Sequence, residues 1–188
     1  NFFTIREVLE KYHPEVVRYL LIASHYRSPI NYSEDSLREA KTALERFYNA
    51  LKGLPEAEPA AADEFVARFA AAMDDDFNTA GACSVLFELA REVNRLRDTD
   101  LAAAAALAAR LKALAGLLGV LQLEPEAFLR GDAAGRVDAA AVEALIEARL
   151  AARAAKDWAA SDQIRDQLSA MGVLLEDAKG VTSWRLAD

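Results

Sequence analysis

The sequence predicts a mainly α protein: a helical bundle followed by a small α+β module of two helices and a β-hairpin. Three observations lead there. Of the 188 residues 53% are hydrophobic, many of them alanine, the residue with the highest helix propensity, while glycine and proline are scarce. Apolar residues recur at helical spacing along most of the chain, with capping residues at the breaks. After Gly172 the period shortens to that of strands.

The elements follow in order. Thr4-Ile5-Arg6-Glu7 has the capping-box pattern, so a short helix should run to about Lys11. Pro14 suits the first turn of a second helix carrying Val16, Val17, Leu20 and Leu21, which should end near Ser24, before the turn Tyr26-Arg27-Ser28-Pro29. Ser33 opens a third, with Glu34 and Asp35 set favourably against its dipole and Leu37, Ala40, Leu44, Phe47, Tyr48 and Leu51 forming its apolar stripe. Gly53 closes it, and residues 54–62, with Pro55 and Pro59, read as a linker. Phe65, Phe69 and Met73 mark the core face of a fourth helix. The fifth, capped by Asn78, should reach about Arg97; the sixth, about Asp100 to Leu118, should turn Leu107, Leu111, Leu114 and Leu118 inward. A domain boundary is placed in the irregular stretch after Leu121, which has room for a short turn at Pro125 to Leu129 and otherwise reads as a flexible joint. Two helices follow, Ala139 to Ala154 and Trp158 to Met171, the second capped by Asp157 and closed by Gly172; Val173 to Asp177 and Val181 to Leu186 then form the hairpin.

Charge narrows the function. The net charge is −8, which argues against a protein that coats nucleic acid with a broad basic surface. Residues 54–144 hold 8 basic and 16 acidic side chains, while 1–53 and 145–188 come to +1 and −1. Contact with RNA should therefore be local, made away from the acidic middle. A single cysteine, Cys83, excludes an internal disulfide and a cysteine-rich zinc site, and its apolar helical neighbours make it a buried structural thiol. No run of about 18 apolar residues suggests a membrane span, nothing resembles a signal peptide, and the cytoplasm is the expected location. The three carboxylates of Asp74-Asp75-Asp76 invite a metal reading, but without a liganding loop they read as a helix end before the Asn78 cap. No phosphate loop and no nucleophile–base pair is visible, so these residues are not expected to catalyse a reaction.

One face stands out. At about 100° per residue, Ile164, Leu168 and Met171 fall within some 60° of one another and mark the buried stripe of the Trp158 helix. Trp158, Asp162 and Arg165, spaced i, i+4 and i+7, lie about 100° away, with Arg153 one turn upstream. A tryptophan there can stack on a base while its neighbours hydrogen-bond base edges. Equally, Trp158 can pack against the hairpin and the charges can form ordinary surface pairs. Trp184 reads as hairpin packing, and Lys179, at the hairpin tip, as a phosphate contact or a solvated turn residue.

Several segments together resemble cysteinyl-tRNA synthetase, a class I aminoacyl-tRNA synthetase. Asn1-Phe2-Phe3-Thr4-Ile5 resembles the stretch following that family's lysine-rich ATP-binding loop. Residues 15–21 and His25-Tyr26-Arg27-Ser28-Pro29-Ile30 resemble its stem-contact region, and Met73 to Ala80 (MDDDFNTA) its helical-bundle signature. Ala152 to Asp166 (ARAAKDWAASDQIRD), continuing through residues 171–177 to Thr182-Ser183-Trp184-Arg185, resembles its anticodon-binding module. The resemblance implies a stem-contact region at 1–30, a DALR-like bundle at 31–120 and an anticodon-binding module at 121–188. It implies recognition of the GCA anticodon of cysteine tRNA, with Trp158 stacking on a base, Arg153, Asp162 and Asp177 hydrogen-bonding base edges, and Lys156 and Arg165 supplying charge near phosphates.

It further implies that the chain, which starts without a methionine, is the carboxy-terminal part of a longer enzyme. The nucleotide-binding fold and the sites for ATP and zinc would precede Asn1, and this part would hold no cofactor of its own. Cysteine tRNA is the expected partner, with no DNA and no membrane, and a monomer is the expected state. Two other readings are a helical protein-interaction module and a fragment of a related ATP-dependent cysteine ligase acting on an amino sugar. The tRNA-reading end argues against the latter.

Overall fold

A computed structural model describes residues 4–30, 32–59, 61, 64–131, 137–178 and 181–187. Nine helices and one two-stranded antiparallel sheet lie among them: α1 (Ile5–Lys11), α2 (Pro14–Ile22), α3 (Glu34–Leu51), α4 (Glu64–Asp74), α5 (Thr79–Leu96), α6 (Leu101–Leu117), α7 (Pro125–Leu129), α8 (Ala139–Ala154), α9 (Trp158–Ala170), β1 (Val173–Ala178) and β2 (Val181–Leu186). The chain divides into two units, Asn1–Glu126 and Ala127–Asp188.

Local chemistry accounts for the helix starts. In α1 the Thr4 hydroxyl accepts from the Glu7 N–H, and the Glu7 carboxylate accepts from the Thr4 N–H at 2.7 Å, so two free donors are satisfied reciprocally. Ser33, Asn78, Asp100, Asp138 and Asp157 each cap the helix that follows. At α2 the cap is His13, whose Nδ1 accepts from the Glu15 N–H at 3.2 Å beside the expected Pro14.

The core of the first unit is formed by α2, α3, α5 and α6, where Tyr48, Phe47, Leu44, Leu86, Leu89 and Leu111 are almost wholly buried. Phe47 stacks on Phe87 at 4.3 Å between ring centres. In α6 the inward face differs from expectation: Leu111 and Leu114 are buried, but Leu107 and Leu118 are only half-buried, and Ala104, Ala105, Ala108 and Ala115 take the interior positions. Small side chains there let the neighbouring helix backbone approach closely, which a leucine-based reading of the stripe overlooks. The Cys83 thiol is buried in α5, as expected.

Polar groups tie distant parts of this unit together. The Glu15 carboxylate is 4% exposed and accepts from the Tyr48 hydroxyl at 2.7 Å and from the N–H groups of Leu121 and Gln122 at 3.1 and 2.8 Å. The Arg97 guanidinium donates to the carbonyls of Asn49, Ala50 and Lys52, satisfying the C-terminal end of α3.

The second unit packs α8 and α9 against the hairpin. Val142, Ile146, Leu168, Val173, Trp184 and Leu186 form its core, with Ile164, Met171 and Leu175 packed against them. β1 and β2 pair in register from Val173↔Leu186 to Ala178↔Val181. Trp184 is hairpin packing: it is 5% exposed, its Nε1 donates to Glu143 at 2.9 Å, and the Arg130 guanidinium lies 5.2 Å from its ring centre. No helix among the described residues is long and apolar enough to cross a membrane.

Candidate nucleic-acid interface

The junction of α8 and α9 sets the geometry of the face singled out in the sequence. Three residues, Ala155 to Asp157, join the helices. The Lys156 N–H donates to the Arg153 carbonyl at 3.1 Å and the Asp157 N–H to the Ala152 carbonyl at 2.9 Å, the double closure of a Schellman motif. Its left-handed position, normally glycine, is held by Lys156 at φ 60°. One residue later the Asp157 carboxylate accepts from the Ala160 N–H at 3.0 Å and opens α9. Asp157 thus ends one helix and begins the next.

This closure presents a polar and aromatic surface. Ile164 and Met171 pack against the module core and Leu168 lies within it, whereas Trp158 leaves 60% of its surface exposed and takes no part in that core. Asp162 and Arg165 are exposed and paired, carboxylate to guanidinium, at 3.1 Å, and Arg165 also lies 3.7 Å from Asp166. Arg153 and Lys156 are exposed at the end of α8. Asp177 occupies β1 opposite Thr182 in the register; its side chain, like Lys179, lies outside the described residues. An exposed ring beside a carboxylate and several cations offers a stacking plane, acceptors for base amino or imino groups, and donors for base carbonyls or phosphates.

Sequence reasoning missed Lys156's left-handed role, because nothing local marks a lysine as a helix terminator. Among the described residues no group of three or more acidic, histidine or cysteine side chains is placed to hold a metal ion. Asp74 to Asp76 follow the end-of-helix reading: Asn78 accepts from the Gly81 N–H at 2.9 Å and starts α5.

The parts of this chain are those of a class I aminoacyl-tRNA synthetase. Residues 1–42 match the tRNA synthetases class I (C) catalytic domain, 68–122 the DALR domain, and 139–185 the cysteinyl-tRNA ligase anticodon binding domain. Curated relatives agree over the whole chain: cysteine–tRNA ligase of Pseudomonas aeruginosa is 85% identical over 188 residues, that of Stutzerimonas stutzeri 81%, and that of Pseudomonas syringae pv. tomato 76%. The chain belongs to the cysteine–tRNA ligase family. It spans 41% of the length of these relatives.

Proposed function

We propose that the second unit reads the GCA anticodon of cysteine tRNA, and that the chain as a whole positions that tRNA for ATP-dependent aminoacylation by the catalytic unit of the longer protein. The observation that carries this reading is the exposure of Trp158 beside the Asp162–Arg165 pair, on α9 residues outside the module core and within the segment matching an anticodon binding domain. Trp158 stacks on an anticodon base. Asp162 accepts from base N–H groups, Arg153 donates to base edges, and Asp177 adds a further acceptor. Lys156 and Arg165 supply charge near phosphates.

Discriminating bases needs a few such bonds and one stack, each worth about 1–3 kcal/mol, and does not need a basic surface overall. The acidic 54–144 segment fits this division, because it discourages non-specific RNA from settling on the bundle. In this reading the chain acts as a cytoplasmic monomer without catalysing either step, and ATP and zinc belong to the catalytic unit.

The two tryptophans make the test direct. Trp184 is buried and Trp158 exposed, so they emit in different ranges and only Trp158 should respond to a stacked base. Titration with an RNA stem-loop bearing GCA should quench the red-shifted emission saturably, and a scrambled loop should not. An equal response to both loops, or a GCA response that survives Asp162→Ala, would sink the assignment.

A further inference from the structure

The residues that follow α6 are held by side chains from elsewhere in the first unit. Each backbone N–H from Leu118 to Leu123 has an acceptor, and the acceptors fall into two groups. The N–H groups of Leu118, Gly119 and Val120 donate to the carbonyls of Ala115 and Gly116 and finish α6. Those of Leu121 and Gln122 donate to the Glu15 carboxylate, and that of Leu123 donates to the Tyr48 hydroxyl. One turn along α2 from Glu15, the Arg18 guanidinium donates to the Gly119 carbonyl at 2.7 Å. Glu15 and Arg18, spaced i and i+3, thus grip residues 119–122 from one face of α2.

The gripped segment contains two left-handed residues. Gly119, at φ 71°, is a common way to end a helix, and a Cβ there would stand 2.6 Å from the Arg18 Nη1. Leu121, at φ 60°, is not: a bulky side chain seldom adopts that conformation, and this one is fully buried. The two N–H groups held by Glu15 are those on either side of the Leu121 Cα. Relaxation of Leu121 to a common φ near about −60° would rotate the chain beyond it by about 120° around one bond. Residues 124–126 then carry the chain out of the first unit. The buried carboxylate therefore sits at a bond whose rotation redirects the outgoing chain.

Cohesion of the bundle does not call for this arrangement. Gly119 suffices to end α6, and Gln122 is exposed, so water can serve its N–H. An apolar residue in place of Glu15 would avoid the desolvation of a buried carboxylate. What Glu15 and Arg18 add is one defined path, kept against backbone strain, and strain of this kind collects at functional positions. A defined path has a use where the unit at its far end reads an anticodon and the chemistry takes place in another part of the protein.

We propose that Glu15 and Arg18 are positioning residues for the charging of tRNA, acting through residues 119–123 to fix where the chain sets out toward the anticodon-reading unit. This role presupposes anticodon reading by the second unit. Neither residue is assigned a contact with tRNA, cysteine or ATP; they transmit anticodon binding to the transfer step. The test uses the full-length cysteine–tRNA ligase of Pseudomonas aeruginosa with the residue equivalent to Arg18 changed to Met or to Lys. Arg18→Met keeps the apolar stem and removes the donor, whereas Arg18→Lys keeps a donor. Arg18 is exposed, so these changes disturb packing less than a change at the buried Glu15. Cysteine activation, read without tRNA by cysteine-dependent ATP–pyrophosphate exchange, and affinity for the GCA stem-loop should both stay within about two-fold of the parent. Charging of tRNA bearing GCA should fall about ten-fold for Arg18→Met, in kcat rather than KM, equivalent to about 1.4 kcal/mol. Arg18→Lys should recover most of that loss. Unchanged charging, an equal fall in activation, or a loss that Arg18→Lys does not relieve would overturn the proposal. Failure of the anticodon reading shows in a different measurement, as a parent that binds GCA and scrambled loops alike.

Discussion

The carboxylate of Glu15 and the hydroxyl of Tyr48 meet at 2.7 Å inside the first unit, and Tyr48 in turn accepts from the Leu123 N–H at 3.2 Å. With the bonds from Leu121 and Gln122, this hub joins α2, α3 and the segment after α6 across more than a hundred residues of sequence. Glu15→Gln puts an amide donor against one of these donors and should cost about 2–3 kcal/mol, whereas Tyr48→Phe should cost about 1–2 kcal/mol. Urea unfolding of the two variants checks the order. Losses below about 0.5 kcal/mol for both, within the range of ordinary surface substitutions, would mean that the hub does not hold the fold.

His13 predicts a pH dependence. Burial lowers its pKa from 6.5, opposed by the nearby Glu15 charge. The unfolded chain therefore binds a proton more readily than the folded one. The stability held by neutral His13 is complete above the unfolded value and is lost as pH falls from about 6.5 through the lower folded value. His13→Asn keeps a helix cap while removing the titration. Its unfolding free energy should decline less between pH 7.5 and pH 5.5 than that of the parent, and parallel curves would refute the assignment.

Burial pushes the Cys83 thiol up to about 11. At pH 8 the folded protein should react with a disulfide reagent only slowly, because little thiolate is present and the sulfur is covered. Across a urea series the fast-reacting fraction should follow the unfolding curve. Rapid reaction without denaturant would show that α5 opens locally.

Lys156→Gly should split two properties that usually move together. Glycine relieves a left-handed lysine, so the second unit should gain about 1 kcal/mol. The lost charge should weaken stem-loop binding a few-fold, with a shallower salt dependence. Trp158→Ala, by contrast, should leave the melting temperature nearly unchanged and reduce affinity for the GCA loop by about 1–3 kcal/mol. A large fall in melting temperature for Trp158→Ala would make the ring structural.

What could be read in the sequence was mostly local. Thr4 with Glu7, Ser33, Asn78 and Asp157 act within three residues of themselves, and each cap stands where the pattern put it. The exposed and core faces of α9 followed from periodicity alone. The Glu15 hub, the Arg97 grip on α3 and the Asp76 latch on Tyr26 and Arg27 were not legible, since their partners are 33 to 107 residues apart. A glutamate near a helix start reads as a dipole partner, and only the tertiary fold turns it into a buried acceptor. In α6 the alanines hid the true inner face because one small residue resembles the next.

Asp157 has a consequence for how this module can diverge. Its N–H completes the closure of α8 and its carboxylate starts α9, so the path from Arg153 to Trp158 contains no slack. Adding or removing one residue there would rotate α9 by about 100° about its axis and shift it by about 1.5 Å, pointing the tryptophan elsewhere. Natural variation at this junction should therefore consist of replacements at constant length, with insertions and deletions displaced to other loops.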